Sequence, residues 1–387
     1  MSVIVITIFL FLIYASLIIY YRQSWLKIPI YNGQLATGNQ PSTFISIIIP
    51  ARNEEENIGA CIESVTSQTY PKNLFEVIVI DDFSTDRTAE ITNFFANKNV
   101  SLISLKDFAE EVGINSYKKK AIEIAVSKAK GELIITTDAD CIVQKKWLET
   151  IASFYEKKQP VFIAAPVAYF PSPAGEGLVV RFLKIFQSLD FMTLQGITGA
   201  SVYKKFHSMC NGANLAYEKK VFSEVGGFAG IDNIASGDDM LLMHKIFSLY
   251  PERVLFLKSV NAIVHTKPAG TFKEFINQRI RWASKADKYT DKKIIGVLLL
   301  VYLFNVWILL LGVLSVFYHQ VFLWFIGVLI TKTIIELFFL FPVAGFFKKQ
   351  KLLWWFPVAQ PVHILYTITA GWLGKFGSYK WKERKVK

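Results

Sequence analysis

The chain has 387 residues, of which 52% are hydrophobic, and it carries a formal net charge of +12. This length holds one catalytic domain of ordinary size plus further segments, and so high an apolar content is unusual for a soluble enzyme. We expect no nucleic-acid partner despite the basic charge, because the polar part of the sequence lacks a basic stripe with interleaved aromatic residues. Three widely spaced cysteines without a C-x-x-C pattern argue against a disulfide framework or a zinc site.

An uncharged apolar run from Val3 to Tyr21 is long enough to cross the hydrocarbon core of a bilayer. A cleaved signal peptide is the alternative interpretation. No charged segment precedes the run, however, and no small-residue cleavage site follows it near Arg22 and Lys27. We therefore predict a transmembrane anchor over residues 1–22.

Residues 42–290 alternate between short apolar runs and amphipathic stretches, which is the pattern of βαβ units. The predicted strands are Ile45–Ile49, Phe75–Ile80, Val100–Ser104 and Leu133–Thr137. The predicted helices are Glu55–Gln68, Arg87–Asn97 and Ser116–Lys130, the last with Gly131 as its stop signal. We predict an α/β domain with a mostly parallel sheet, which binds its ligands at the carboxyl ends of the strands.

The motif Asp138-Ala139-Asp140 comes directly after one of these strands. Two carboxylates one residue apart can converge on one hard divalent cation, such as Mn²⁺ or Mg²⁺. A cation there would stabilise a diphosphate as a leaving group. The alternative is an ordinary acidic turn.

Two further polar motifs follow predicted strands. Asp81 and Asp82 can accept hydrogen bonds from a base or a ribose, while Ser84 or Asp86 caps the helix that follows. The motif Pro50-Ala51-Arg52-Asn53-Glu54 places polar groups where a turn would lie over a nucleotide, and its alternative is a polar loop into a helix with an acidic first turn. Both motifs therefore predict nucleotide-binding residues, namely Pro50, Asn53, Glu54, Asp81 and Asp82.

Two charged segments complete the candidate site within the polar part of the chain. Lys118-Lys119-Lys120 opens a predicted helix, either as cations near a diphosphate or as a solvated charge run. Asp238 and Asp239 precede the amphipathic run Met240–Phe247. One of these two carboxylates can cap the helix, and the other can act as a general base on an acceptor hydroxyl.

The segment Thr271-Phe272-Lys273-Glu274 fits a capping box at the start of a helix. That helix carries Gln278, Arg281 and Trp282 on one face. An amide, a guanidinium and an indole on one stripe can stack on a ring and hold phosphate oxygens. An amphipathic helix at the membrane surface is the alternative.

Further apolar runs at 294–317, 321–346 and 352–374 are candidate spans. Pro357 and Pro361 interrupt the last of them, so a re-entrant or interfacial segment is expected there. A basic tail, 375–387, follows. A separate amphipathic helix over Gly175–Gln195 either packs on the sheet or lies at the membrane surface.

Taken together, these motifs resemble family-2 glycosyltransferases of the GT-A fold, over roughly residues 44–290. Each motif alone is weak, but they occur in the order of the family. The Gln-x-x-Arg-Trp motif resembles membrane-associated members such as ceramide glucosyltransferase and the processive polysaccharide synthases. The matching segments are Ile49–Glu54, Asp81–Asp86, Asp138–Asp140, Asn211–Asn214, Gly237–Asp239 and Gln278–Trp282.

The resemblance implies an inverting, metal-dependent transfer from a nucleoside-diphosphate sugar, usually UDP-linked, with the catalytic domain facing the cytoplasm. It implies a metal and diphosphate site at Asp138 and Asp140, and it implies Asp239, with Asp238 beside it, as the catalytic base. Its donor-site lysine falls on Lys118, although Tyr117 replaces the usual preceding glycine. The remaining donor and acceptor contacts fall on Gln278, Arg281 and Trp282.

Two enzymatic functions and one non-enzymatic function fit these motifs. A single transfer to a lipid or lipid-linked acceptor is favoured, since few predicted spans leave little material for a polymer channel. Processive polymer synthesis is the first alternative. An inactive membrane-anchored binding module is the second, and the intact carboxylates argue against it.

Overall fold

The structure is a computed structural model that describes residues 2–387 except 34–40, 109–115, 172–174, 208, 235, 287, 288, 290, 378, 382, 383 and 387. Two lysines of the predicted basic tail, Lys382 and Lys387, lie outside the described residues. The chain forms two compact units. The sheet unit comprises Pro29–Phe170 and Ser208–Lys267, and the helical unit comprises Met1–Ile28, Pro171–His207 and Pro268–Lys387.

The strands in chain order are β1 (Ile45–Ala51), β2 (Phe75–Asp81), β3 (Val100–Ser104), β4 (Leu133–Thr136), β5 (Phe162–Ala164), β6 (Val167–Tyr169), β7 (Leu215–Glu218), β8 (Val254–Phe256), β9 (Val264–Thr266), β10 (Tyr379–Trp381) and β11 (Arg384–Val386).

The helices in chain order are α1 (Ser2–Lys27), α2 (Ile58–Thr66), α3 (Thr88–Asn93), α4 (Tyr117–Lys128), α5 (Trp147–Lys158), α6 (Leu178–Lys204), α7 (Lys219–Glu224), α8 (Met240–Leu249), α9 (Phe272–Ala283), α10 (Lys292–Phe317), α11 (His319–Phe346) and α12 (Phe356–Phe376).

The sheet unit is built on a mostly parallel sheet with the strand order β3-β2-β1-β4-β7-β5-β8. Within it only β7 runs against its neighbours, since it pairs antiparallel with both β4 and β5. A second, two-stranded parallel sheet joins β6 to β9. The predicted α/β fold class and mostly parallel sheet are confirmed.

The four predicted strands are observed because their β-branched runs are buried on both faces of the sheet. Ile48 and Ile49 in β1, and Val79 and Ile80 in β2, point to opposite faces of the sheet and are all fully buried, as expected for strands covered on both sides. The predicted stop signal at Gly131 is wrong. Helix α4 ends at Lys128 with Ala129 as its C-cap, whereas a Cβ atom at Gly131 would lie 2.5 Å from the backbone nitrogen of Ser46. The glycine therefore permits close packing against β1.

Three helices of the helical unit are long and apolar enough to cross a membrane, among the residues that the structure describes. They are Val3–Lys27, Lys292–Phe317 and His319–Phe346. The last predicted run, 352–374, is not among these candidate membrane spans. It forms α12, which starts beside Pro357 and contains Pro361. Pro357 thus begins the helix instead of interrupting it, because the first turn has no hydrogen bond for a proline to remove.

Buried polar side chains join α1, α11 and α12 inside the helical unit. Lys332 Nζ donates to Glu336 Oε1 at 2.8 Å and to Gln360 Oε1 at 2.9 Å. The hydroxyl of Tyr14 donates to Glu336 Oε1. Charges among apolar helices persist only where they are paired, and these three contacts supply the partners.

Candidate functional site

The carboxyl ends of β1, β2 and β4 lie side by side at one edge of the sheet. Ala51 pairs with Asp81, and Ile48 pairs with Thr136. The loops that follow these strands therefore start next to one another. They contain the three acidic motifs predicted from the sequence, and they meet at the edge where open α/β sheets bind ligands.

Lys118 connects the motif after β4 with the motif before α8. Its Nζ lies 2.7 Å from Asp138 Oδ1 and 3.1 Å from Asp238 Oδ2. Burial lowers the pKa of Lys118, but the charges of Asp138 and Asp238 outweigh this effect and raise the pKa above its usual value. The ammonium therefore stays protonated and holds two carboxylates together.

The three consecutive lysines of α4 have separate surroundings. Lys118 lies among the carboxylates, whereas Lys119 is buried and donates to the carbonyl oxygens of Ile231 at 2.6 Å and Ile234 at 2.7 Å. Lys120 is exposed and lies 3.5 Å from Glu123. Of the three lysines, Lys118 is thus the one that lies at the candidate site. Lys120 has the surroundings of a solvated surface charge.

Asp239 is the N-cap of α8. Its Oδ1 accepts the backbone N–H of Met240 at 2.7 Å, and its Oδ2 accepts the N–H of Gly212 at 3.1 Å. A carboxylate can accept about four hydrogen bonds, so two backbone donors orient Asp239 and leave capacity for a hydroxyl. Asp238, its neighbour, pairs with Lys118 instead. The sequence left open which of the two caps the helix, and the structure assigns the cap to Asp239.

The residues after β4 fit a hard divalent cation. Ligand atoms of Asp138, Asp140 and Cys141 lie within 4.8 Å of one another. Burial, followed by the charges of Asp138 and Glu54, raises the pKa of Asp140. Burial likewise raises the pKa of the Cys141 thiol well above its usual value, so the sulfur stays protonated. The two carboxylates, which are oxygen ligands in a cluster of like charge, are therefore the groups suited to Mg²⁺ or Mn²⁺.

The loop after β1 is braced against the loop after β2. Asn53 has a left-handed backbone with φ of 49°. Its N–H donates to Ser84 Oγ at 3.0 Å, and its Oδ1 accepts the N–H of Thr85 at 2.9 Å. The N–H of Glu54 donates to Thr88 Oγ1 at 2.8 Å. These bonds fix the turn in which Asn53 and Glu54 were predicted to face a nucleotide, a role that stays a prediction.

Asp81 and Asp82 are both buried at the end of β2. Asp81 accepts the N–H of Ser84 at 3.3 Å, which closes the turn. Arg52 donates to the carbonyl oxygen of Asp82 at 2.8 Å. Nucleoside binding by these carboxylates, like contact with Pro50 on the neighbouring strand, stays a prediction. The predicted cap is wrong for both candidates, Ser84 and Asp86, because the N-cap residue of α3 is Arg87, without a side-chain cap hydrogen bond. Asp86, one residue earlier, accepts the N–H of Thr88 at 3.0 Å through Oδ1.

Gln278, Arg281 and Trp282 lie on α9, which belongs to the helical unit. The predicted capping box at its start is confirmed, with Thr271 accepting the N–H of Glu274 at 3.2 Å and Glu274 accepting the N–H of Thr271 at 3.2 Å. The roles that the resemblance implies for this face of the helix stay predictions.

Two contacts of the site were not assigned from the sequence. Thr266, at the end of β9, donates to Asp140 Oδ2 at 3.1 Å. Gly212 donates its N–H to Asp239 and packs so closely that a Cβ atom there would lie 3.3 Å from Asp238 Oδ2 and 3.4 Å from Lys118 Nζ. The sequence motif Asn211–Asn214 includes Gly212, but the hydrogen bond from its backbone N–H to Asp239 depends on the folded structure. Thr266 carries no signal in the sequence.

A mostly parallel sheet with acidic loops gathered at the ends of β1, β2 and β4 agrees with the GT-A fold that the sequence motifs imply. Residues 46–226 match the model of Glycosyl transferase family 2, and this domain of the chain belongs to that family. The resemblance deduced from the motifs is thereby confirmed for the sheet that holds them.

Similarity to known proteins agrees with this assignment. Glycosyltransferase AglE of Haloferax volcanii is 40% identical over 51% of this chain and 59% of its own length. Beta-monoglucosyldiacylglycerol synthase of Synechocystis sp. is 27% identical over 43% of this chain and 30% of its own length. The matches thus span less than two thirds of the length of each of these relatives.

Among solved structures, the mannosyltransferase PcManGT of Pyrobaculum calidifontis, in complex with GDP-Man and Mn²⁺, superposes with a TM-score of 0.58. The superposition covers 94% of this chain and 99% of that one, at 18% sequence identity. At this level of identity the likeness establishes a shared fold.

Proposed function

We propose that this protein is an inverting glycosyltransferase that moves a sugar from a nucleoside-diphosphate donor, in the first instance a UDP-sugar, to a lipid or lipid-linked acceptor at the membrane. The observation that carries the proposal is the cluster formed by Lys118, Asp138, Asp140 and Asp238 at the carboxyl edge of a family-2 sheet. In this cluster, carboxylates that suit a divalent cation lie next to the ammonium group of Lys118, which the carboxylates of Asp138 and Asp238 hold in place.

Different residues of the chain have different roles in the proposed displacement reaction. A divalent cation, when bound to Asp138 and Asp140, supplies counter-charge for the donor diphosphate. Lys118 holds Asp138 and Asp238 in place and keeps a positive charge at the same edge. Asp239 takes the proton of the acceptor hydroxyl, whose oxygen then attacks the anomeric carbon opposite the diphosphate. Backbone donors from Gly212 and Met240 orient this carboxylate for the step.

Direct displacement inverts the configuration at the anomeric carbon. The resemblance assigns contacts with the acceptor and the donor diphosphate to Gln278, Arg281 and Trp282. The guanidinium of Arg281 would stabilise the negative charge that develops on the leaving group. The nucleoside contacts fall to Pro50, Asn53, Glu54, Asp81 and Asp82.

A lipid acceptor fits the apolar helices of the chain. α1, α10 and α11 are long enough to hold the protein in a bilayer. The Synechocystis relative is, by its name, a synthase of a glucosylated diacylglycerol. A membrane-embedded enzyme would meet its acceptor at the headgroup level, where a lipid hydroxyl or phosphate is accessible.

The charges that flank these helices favour a cytoplasmic sheet unit. If α1, α10 and α11 each cross the bilayer once, the end of α1, the start of α10 and the end of α11 lie on the same side. Basic residues occur at all three places, at Lys27, Lys292, Lys293, Lys348, Lys349 and Lys351. By the positive-inside rule that side is the cytoplasm, where nucleotide sugars would be available to the sheet unit between α1 and α10.

The first experiment measures nucleotide release by the full chain in lipid nanodiscs, with Mn²⁺ or Mg²⁺, across UDP- and GDP-sugars and with lipid acceptors. We expect metal-dependent release with one donor, lost in Asp140→Asn and retained in Asp232→Asn, a change at an exposed residue of the same unit. Loss of activity in both variants, or release that persists in Asp140→Asn, would contradict the assigned site. An absence of transfer with every donor and acceptor would favour the inactive binding module.

The product separates single transfer from polymer synthesis. One added sugar per acceptor supports the lipid-directed reaction, whereas a ladder of lengths supports a processive synthase. Asp239→Asn is expected to lower turnover by about 10²–10⁴-fold while donor binding is kept. Near-full turnover in Asp239→Asn, together with a loss of turnover in Asp238→Asn, would show that Asp238 is the general base instead.

A further inference from the structure

A buried ion pair lies beside the residues Gln278 and Trp282 of α9. Arg279 on α9 and Asp190 on α6 are each 4% exposed in their side chains. Arg279 donates from Nε at 3.0 Å and from Nη2 at 2.6 Å to the same oxygen of Asp190. Two charge-assisted hydrogen bonds to one buried carboxylate oxygen restrict where the guanidinium can lie.

Tyr366 anchors the other side of this pair. Its hydroxyl donates to Asp190 Oδ1, and its ring meets that of Phe275 edge-on at a centroid distance of 5.2 Å. Residues from α6, α9 and α12 thus converge on one carboxylate. The position of Arg279 is therefore set by three helices of the helical unit.

From this position Arg279 touches two residues of the Gln-x-x-Arg-Trp motif. Its Nη1 donates to Gln278 Oε1 at 2.7 Å. Its guanidinium carbon lies 4.1 Å from the ring centroid of Trp282 and 4.6 Å from that of Phe275. A cation over an aromatic face fixes the ring plane, and a charge-assisted hydrogen bond fixes the direction of the amide.

We propose that Arg279, held by Asp190, is a positioning residue that sets the side-chain orientations of Gln278 and Trp282. The inference rests on the proposed function for its catalytic consequence, because that function gives the two motif residues their roles. Arg279 itself touches no reacting atom in this mechanism. Side chains that contact a substrate need a second layer of fixed contacts, and here one guanidinium supplies that layer for two of them.

The first test follows the position of Trp282 without any assay of transfer. The full chain in nanodiscs is labelled with fluorotryptophan, and Trp282→Phe identifies one resonance among those of the nine tryptophans. Arg279→Lys keeps the charge but lacks the planar fork that reaches Asp190, Gln278 and the ring together. We expect the Trp282 resonance to shift or broaden in Arg279→Lys and to stay unchanged in Lys273→Arg, at an exposed position of the same helix. An unchanged resonance in Arg279→Lys would overturn the inference.

The second test is a kinetic cycle in the active protein. Arg279→Lys should lower kcat/KM by about 10- to 100-fold, as small misplacements of substrate-contacting groups do. In a Gln278→Ala, Trp282→Ala background the same change should cost less than about twofold, because both side chains that Arg279 is proposed to orient are gone. Equal losses in both backgrounds would show that Arg279 acts in another way.

A variant of Asp190, the partner of Arg279, provides a second test, and the unaltered protein is the reference for both tests. Asp190→Asn keeps a hydrogen-bond acceptor in case Arg279→Lys fails to fold, and it should shift the same resonance. If the unaltered protein transfers no sugar, the proposed function fails while the fluorine spectra still decide whether Arg279 positions Trp282.

Discussion

Lys118 Nζ lies 2.7 Å from Asp138 Oδ1 and bridges this residue to Asp238 at 3.1 Å. The bridge joins the carboxyl end of β4 to the residue before the N-cap of α8. It therefore couples the residues suited to a cation with those suited to remove a proton. A single side chain thus links the two halves of the proposed displacement.

Replacing Lys118 by Met should disable transfer. Two carboxylates would lose their shared cation, and mutual repulsion would move Asp138 and Asp238 apart. We expect kcat/KM to fall by about 10²-fold or more, the size of effect seen when one preorganised electrostatic group is removed. Lys120→Met is the matched control, since Lys120 is exposed on the same helix. An equal loss in the two variants would show that the effect comes from the helix and not from the bridge.

Replacing Lys119 by Met should destabilise the sheet unit. The buried ammonium satisfies the carbonyl oxygens of Ile231 and Ile234, which precede the pair Asp238-Asp239. Leaving such acceptors unsatisfied costs about 1–3 kcal/mol each. A lower midpoint of thermal unfolding is expected, measured by circular dichroism against Lys120→Met. An unchanged midpoint would mean that water or another donor replaces the ammonium.

These three lysines show why the sequence located the site only in outline. Successive residues on a helix point about 100° apart, so Lys118, Lys119 and Lys120 could not all share one environment. Which of them faces the carboxylates depends on how α4 packs, and a run of identical residues gives no pattern from which to infer it. The strands were easier, because their β-branched runs are buried on both faces.

Long-range pairing limited the prediction in a second way. The stripe Gln278, Arg281 and Trp282 was visible from helical spacing, but Arg279 was not singled out because its partner Asp190 lies 89 positions earlier in the chain. Lys332 and Glu336, by contrast, are four residues apart in an apolar helix. Such a pair is itself a signal that buried partners exist, and it could have been found.

The carboxyl group of Asp140 should make the metal-free protein less stable at neutral pH. Burial and the charges of Asp138 and Glu54 raise its pKa in the folded state. The folded protein then binds more protons than the unfolded one between the two pKa values, so the free energy of unfolding falls as the pH rises through the folded pKa. Asp140→Asn removes this penalty.

We therefore expect Asp140→Asn to unfold at a higher temperature than the unaltered protein near pH 7 in EDTA, and the difference to vanish below the usual pKa of Asp, about 3.9. Added Mn²⁺ should reverse the order, because only the unaltered protein keeps both carboxylates for the cation. A lower midpoint for Asp140→Asn in EDTA near pH 7 would show that Asp140 is stabilised by partners stronger than its repulsive neighbours.

Replacing Gly212 by Ala should impair turnover more than folding. The new Cβ atom would lie 3.3 Å from Asp238 Oδ2, 3.4 Å from Lys118 Nζ and 3.6 Å from Asp239 Cβ. Side-chain ends can yield by a few tenths of an ångström, so the fold should survive. The same shift would disturb the bridge and the N–H that orients Asp239, and a misplacement of this kind costs about tenfold or more in kcat/KM.

Gly59→Ala is the matched glycine for this comparison. Gly59 lies within α2 of the same unit, and a Cβ atom there would meet Ile91 at an ordinary 3.5 Å. Ala is a better helix former than Gly, so this variant should be as stable as the unaltered protein or more so, with unchanged turnover. Measuring kcat/KM and the unfolding midpoint of both variants separates the two effects. A stable and fully active Gly212→Ala protein would show that the carboxylate cluster tolerates displacement, and the bridge by Lys118 would then lose its proposed role in the reaction.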